Sequence, residues 1–184
     1  MKTTIKTLSL AAVALLTFSC SDDDDVSAVN EEEVITTVTY ELVNVSDSNN
    51  VVTLVSFDED GDAGPLAPQL SVTGTIMSGA TYEGEVEFFN AIANENVTEE
   101  VEEESLEHEV FYSFTGSIAS IFKDDLDSGQ VNPLGLETEF VAGVAGPATL
   151  TITLVHEPMK PNNGTVADAD GETDVEVTFN LTVE

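Results

Sequence analysis

A single cysteine, no tryptophan and no arginine among 184 residues remove several chemistries at the outset. Cys20 stands alone near the N-terminus, so the rest of the chain has no disulfide, zinc-thiolate site, iron-sulfur cluster or cysteine nucleophile to offer. Without arginine there is no planar fork for bidentate recognition of phosphate or carboxylate. Four lysines face 36 acidic residues, and a formal charge of −32 repels nucleic acid, which excludes it as a partner. A glycine-rich phosphate loop, a G-x-S-x-G elbow and an H-E-x-x-H pair are also missing. No pair of carboxylates stands out for glycoside hydrolysis, and tryptophan platforms for sugars are absent. The expectation is a protein that is not an enzyme. High negative charge often accompanies disorder, but 41% of the residues are hydrophobic and they recur regularly, which argues for a folded domain.

The first stretch decides where that domain resides. Lys2 and Lys6 form a positive n-region, and Leu8 to Phe18 is an apolar run too short to span a bilayer, as in an export signal. It ends at Ser19-Cys20, which resembles the lipobox of bacterial lipoproteins, with Thr17 where leucine is more usual. That resemblance implies removal of residues 1–19 and lipidation of Cys20, with several acyl chains giving stable membrane anchoring. Residues 20–33, beginning Cys20-Ser21 and then Asp22 to Asp25, read as a solvated acidic tether. The acidic run also resembles the signal that sends some lipoproteins to the outer face of the outer membrane. The expected location is therefore the outer membrane, lipid-anchored and facing the cell surface.

Residues 34–184 read as one domain with a period of two. Val38, Tyr40 and Leu42 alternate with Thr39 and Glu41, and Val51 to Phe57 reads as the hairpin partner. Tyr82, Val86 and Phe88 alternate with Glu83, Glu85 and Glu87. Further runs lie at Leu70 to Ile76, His108 to Phe114, Ile118 to Lys123, Leu134 to Phe140, Ala148 to His156 and Val175 to Val183. Thr98, followed by Glu99 and Glu100, predicts one short helix. Eight or nine short strands with at most one helix predict an all-β, antiparallel β-sandwich of immunoglobulin-like or jelly-roll type.

Two sets of residues can hold cations. Asp58, Asp60 and Asp62, Asp125 and Asp127, and Asp168, Asp170, Glu172 and Asp174 place acids at alternate positions in loops, the pattern of oxygen ligands that calcium needs. Acids and glycines are also favoured in turns without any ligand. The two histidines, His108 and His156, each sit at a strand end on an otherwise apolar face and are each followed by glutamate. Strand ends of a sandwich gather at its edges, so these imidazoles, with Glu104, Glu107 or Glu157 alongside, suit zinc or copper. Two unrelated, hydrogen-bonded histidines would give the same sequence.

The segments EEEVITTVTY (Glu31 to Tyr40), FDEDGDAGP (Phe57 to Pro65), TYEGEVEFFN (Thr81 to Asn90), EEESLEHEVFY (Glu102 to Tyr112), NPLGL (Asn132 to Leu136), LVHEP (Leu154 to Pro158) and GETDVEVTFNLTV (Gly171 to Val183) together resemble a family of small bacterial lipoproteins. That family is often catalogued as "type 1 periplasmic binding fold superfamily protein". Such a name implies two α/β lobes, whereas the period-two runs imply an antiparallel sheet. The resemblance brings no defined activity with it. The expectation carried forward is a non-catalytic accessory that binds a metal or small ligand for an uptake system, with an outer-membrane transporter or another surface protein as partner. The alternative is a calcium-stabilised structural or protein-interaction module of the cell surface.

Overall fold

The structure, a computed structural model, describes residues 34–61 and 64–184. The expected signal peptide, Cys20 with its lipid, the acidic tether and Asp62 lie outside the described residues. Ten strands follow in order: β1 (Thr37–Asn44), β2 (Val51–Phe57), β3 (Gln69–Thr73), β4 (Thr81–Asn90), β5 (Glu95–Asn96), β6 (His108–Gly116), β7 (Ile118–Lys123), β8 (Glu137–Ala142), β9 (Gly146–His156) and β10 (Glu172–Val183). Helix α1 (Val97–Glu103) follows β5, and a single turn, α2 (Val166–Ala169), precedes β10.

These strands form two antiparallel sheets in a sandwich-like arrangement, one ordered β3-β2-β1-β4-β8-β7 with β5 on β4, the other β10-β9-β6. The mostly-β antiparallel architecture is as the alternation implied. The two-residue β5 and the turn α2 are additions, since elements that short carry no periodicity to read. Tyr40, Leu42, Phe88 and Phe140 of the larger sheet share one buried cluster with Leu150, Ile152, Phe179 and Leu181 of the smaller. The outward face of β6 and β9 is covered at one end by the segment carrying α2, where Phe111 and Val155 pack on Val166 and Ala169.

Helix α1 starts differently from the expectation. Asn96 is the cap, its side chain accepting from the Thr98 amide. The Thr98 hydroxyl instead accepts from the Phe88 amide at 2.8 Å and donates to the Phe88 carbonyl at 3.2 Å, pinning α1 to β4. Val97 and Val101 are buried, while Leu106 falls beyond the helix and is exposed.

The acidic loop between β7 and β8 is tied together by hydrogen bonds to its own backbone and side chains. Asp125 accepts from the amides of Gly135 and Leu136 at 2.7 and 2.9 Å. Asp127, fully buried, accepts from the Asn132 side chain at 2.9 Å and from the amides of Val131 and Asn132. Burial alone would push the Asp127 carboxyl up; the three donors, with Lys160 3.9 Å away, outweigh it and hold the group below its ordinary 3.8. A native value below the unfolded one means that the stabilisation is present above pH 3.8 and is lost as the pH falls through the native value. Asp127→Asn is therefore expected to cost about 2 kcal/mol at pH 7. The gap between the two proteins in urea unfolding should close as the pH drops below 3.8.

Candidate metal centre

The ends of β6, β9 and β10 meet at one edge of the smaller sheet. His108 opens β6 and His156 closes β9, and the antiparallel register sets them directly opposite each other. Their rings stack with centroids 4.6 Å apart and planes 28° from parallel. Both lie on the inward face, in step with Val110 and with Leu154 and Ile152, and are 0% and 4% exposed. The Nδ1 of His108 lies 3.2 Å from the Glu104 carbonyl oxygen. A carbonyl only accepts, so in the neutral ring this contact places the proton on Nδ1.

The third group arrives through an irregularity in β10. Thr173 pairs with Val155 and Val175 with Leu154, leaving Asp174 as the extra residue of a bulge. In regular alternation Asp174 would face away from Val175 and Val177; a bulge turns the extra residue and re-aims its side chain. A carboxylate oxygen of Asp174 and one nitrogen from each imidazole all lie within 4.8 Å of one another.

A second group shares one of these rings. Glu107, His156 and Glu157 also bring three ligand atoms within 4.8 Å, and here both carboxylates are exposed. The Glu157 amide donates to the Glu107 carbonyl at 2.6 Å, so the two residues prolong the His108–His156 rung by one step toward solvent.

Comparison with protein-family models, with curated proteins and with solved structures finds no match for this chain. The site is therefore read from its own chemistry. Two imidazoles and one carboxylate form the N,N,O donor set of three-ligand zinc sites, which leave a fourth position for water, and they equally suit copper(II). Zinc-nitrogen bonds are about 2.0 Å long, so ligand atoms up to 4.8 Å apart must close in, and the stacked rings must splay to aim at one point.

The surroundings of the triad are tightly held. The Lys160 side chain is 7% exposed, and its ammonium donates to the carbonyls of Ser105 and His108 at 2.7 and 2.6 Å, fastening the segment after β9 across the start of β6. On the outward face, Glu109 is 3% exposed and pairs with Lys123, which also lies 4.3 Å over the Phe111 ring. The second carboxylate oxygen of Glu109 accepts from Asn162 at 2.7 Å. Burial lowers both lysines from 10.5, against the upward pull of Glu109 and neighbouring carboxylates.

Of the residues expected to bind a transition metal, His108 and His156 come together, and Glu157 joins His156 at the rim. Glu104 contributes its backbone carbonyl rather than its carboxylate and stands outside both groups. Asp174, expected among the calcium ligands, sits with the histidines instead. Its companions do not follow it: Asp168 accepts from the Asn163 amide at 2.9 Å, Asp170 takes φ 55° after α2, and Glu172 pairs opposite His156 with its side chain exposed. Asp58 and Asp60 accept from the amides of Asp60 and Leu66, each at 3.3 Å. Among the described residues, which leave out Asp62, the three acidic loops contribute no group of three converging ligand atoms apart from the joining of Asp174 to the histidines. No helix among the described residues is long and apolar enough to cross a membrane.

Proposed function

We propose that this chain is a non-catalytic metal-binding lipoprotein whose domain takes up a divalent transition ion, zinc or copper, between His108, His156 and Asp174. The observation that carries the reading is the meeting of two in-register imidazoles with a carboxylate that a bulge in the neighbouring strand brings to them. Chance seldom sets the two histidines of a chain opposite each other and then interrupts the neighbouring strand where an acid can join them. The lipobox resemblance and the acidic tether support a position at the outer membrane, where such a domain would hold its ion for an uptake system. A high negative charge raises the local concentration of cations and favours that role.

The test is thermal. Zinc at about a hundred times its Kd is expected to stabilise the domain by about 2.7 kcal/mol. For a chain of this size that raises Tm by about 5–10 °C. His108→Ala with His156→Ala should abolish the shift. Deletion of Asp174 is the sharper variant, because it joins Thr173 to Val175 and restores an unbroken ladder with Val155 and Leu154. It should leave the metal-free Tm close to that of the parent and remove most of the zinc shift. No shift with zinc or copper, or an undiminished shift in the double-alanine variant, overturns the reading.

A further inference from the structure

The rim group has no place in a site that merely stores an ion. Glu107 and Glu157 are exposed, flank the buried pair along the same ladder, and converge with His156 and with no other imidazole. His156 therefore belongs to two ligand sets at once, a solvent-facing one with two exposed carboxylates and an inner one with the buried His108 and the half-buried Asp174. A hydrated divalent ion cannot reach the two buried imidazoles in one step, because its water must be replaced before it leaves solvent. Exposed carboxylates are suited to begin that replacement, since they are anionic oxygen ligands already in water and the Glu157–Glu107 backbone hydrogen bond holds the two side by side. The next ligand inward is the ring they share.

We propose that Glu107, His156 and Glu157 form a capture site for a divalent cation, from which His156 passes the ion inward to His108 and Asp174. The proposal rests on the metal reading above and adds a route to it. Capture followed by transfer has a kinetic signature. Losing the rim carboxylates slows loading and, by reversal along the same path, slows release, while the affinity of the buried site changes little. Permanent ligands would behave otherwise, weakening affinity mainly through faster release.

Cobalt(II), visible by its ligand-field absorbance, serves as the probe in stopped-flow mixing with the full chain. In Glu107→Gln with Glu157→Gln, the association and dissociation rate constants are each expected to fall about tenfold, with Kd within about threefold of the parent. Glu83→Gln with Glu85→Gln removes the same charge from exposed positions on β4 and should leave both rates unchanged, which separates local capture from the general field. His108→Ala should keep a weak, rapidly exchanging site at the rim, whereas His156→Ala should lose both sites. An unchanged association rate in the rim variant, or slower association with unchanged release, overturns the capture route. Loss of the weak site in His108→Ala does so as well. Failure of the parent protein to bind cobalt, zinc or copper overturns the metal centre itself and is seen before any variant is compared.

Discussion

Gly84→Val is expected to destabilise the domain by about 4 kcal/mol and to lower Tm by about 8–16 °C. Gly84 lies on the inward face of β4, opposite Leu42 of β1 and Thr138 of β8. A Cβ there would stand 2.5 Å from the Thr138 hydroxyl and 2.6 Å from that of Tyr40. Those two hydroxyls bond each other at 2.7 Å inside the core, with Tyr40 0% and Thr138 2% exposed. The missing side chain of Gly84 is the space that the Tyr40 phenol occupies. A larger residue must push the phenol away, at about 1–3 kcal/mol for overpacking. The Tyr40 hydroxyl left without its partner costs about 1–3 kcal/mol more, whereas Thr138 keeps its bond to the Gly84 carbonyl at 3.3 Å. Burial raises the Tyr40 phenol well above its ordinary 10, so it remains a neutral donor across the physiological range.

A double-variant cycle isolates that cause. Tyr40→Phe removes the oxygen that the new Cβ would meet, so Gly84→Ala should cost less in the Tyr40→Phe background than alone. Equal costs in both backgrounds would place the strain elsewhere, in the Thr138 contact. Zinc stabilisation should survive each of these variants that folds, because β4 and β8 contribute no ligand to the triad.

Most of the sandwich is legible in the chain because one-sided burial imposes period two. Val38, Tyr40 and Leu42 in β1, and Val177, Phe179, Leu181 and Val183 in β10, are buried as their alternation requires. The histidines are legible for the same reason: each continues the inward parity of its strand to the end, which makes a polar ring at an apolar position conspicuous. Their direct opposition is a matter of register between β6 and β9, strands separated by two others in sequence, and local pattern does not contain it. Asp174 is hidden more deeply. By parity it faces outward, and spacing groups it with Asp168, Asp170 and Glu172; only the bulge turns it to His156. An acid directly before the inward run Val175–Val183, two residues after the Glu172 that pairs with His156, is the one trace of it in the sequence.

The acidic loops are ambiguous in sequence for a related reason. Alternate acids suit calcium ligation, but short acids in turns also satisfy backbone amides, and that is how Asp58, Asp60, Asp125, Asp127 and Asp168 are used. Spacing alone does not distinguish an oxygen waiting for a cation from one already bonded to an amide. Lysine is the better guide in a chain this acidic. A residue type that is scarce and yet buried has a specific task, and Lys160 meets both conditions.

Lys160→Met is accordingly expected to cost about 3–5 kcal/mol at pH 7. Methionine keeps the aliphatic stem and deletes the ammonium, so the loss reports the charge and its bonds rather than packing. The carbonyls of Ser105 and His108 then lack their donor, and the buried Asp127 loses the cation 3.9 Å away. Burial depresses the Lys160 ammonium below 10.5, with Glu109, Asp127 and Asp125 opposing the shift. The folded chain thus releases this proton before the unfolded chain does, and between the two values stability rises with pH. The parent protein should accordingly gain stability relative to Lys160→Met as the pH climbs toward 10.5. Because Lys160 grips the carbonyl of a proposed ligand, the variant should also bind zinc more weakly, by about the 10- to 100-fold typical of lost outer-shell support. A cost below about 1 kcal/mol, as for an exposed ion pair, would show that the segment after β9 is held mainly by Val166 and Ala169 on Phe111 and Val155 and by the Asn162–Glu109 bond. In that case His108 owes its position to the β6–β9 ladder, and zinc binding should be untouched.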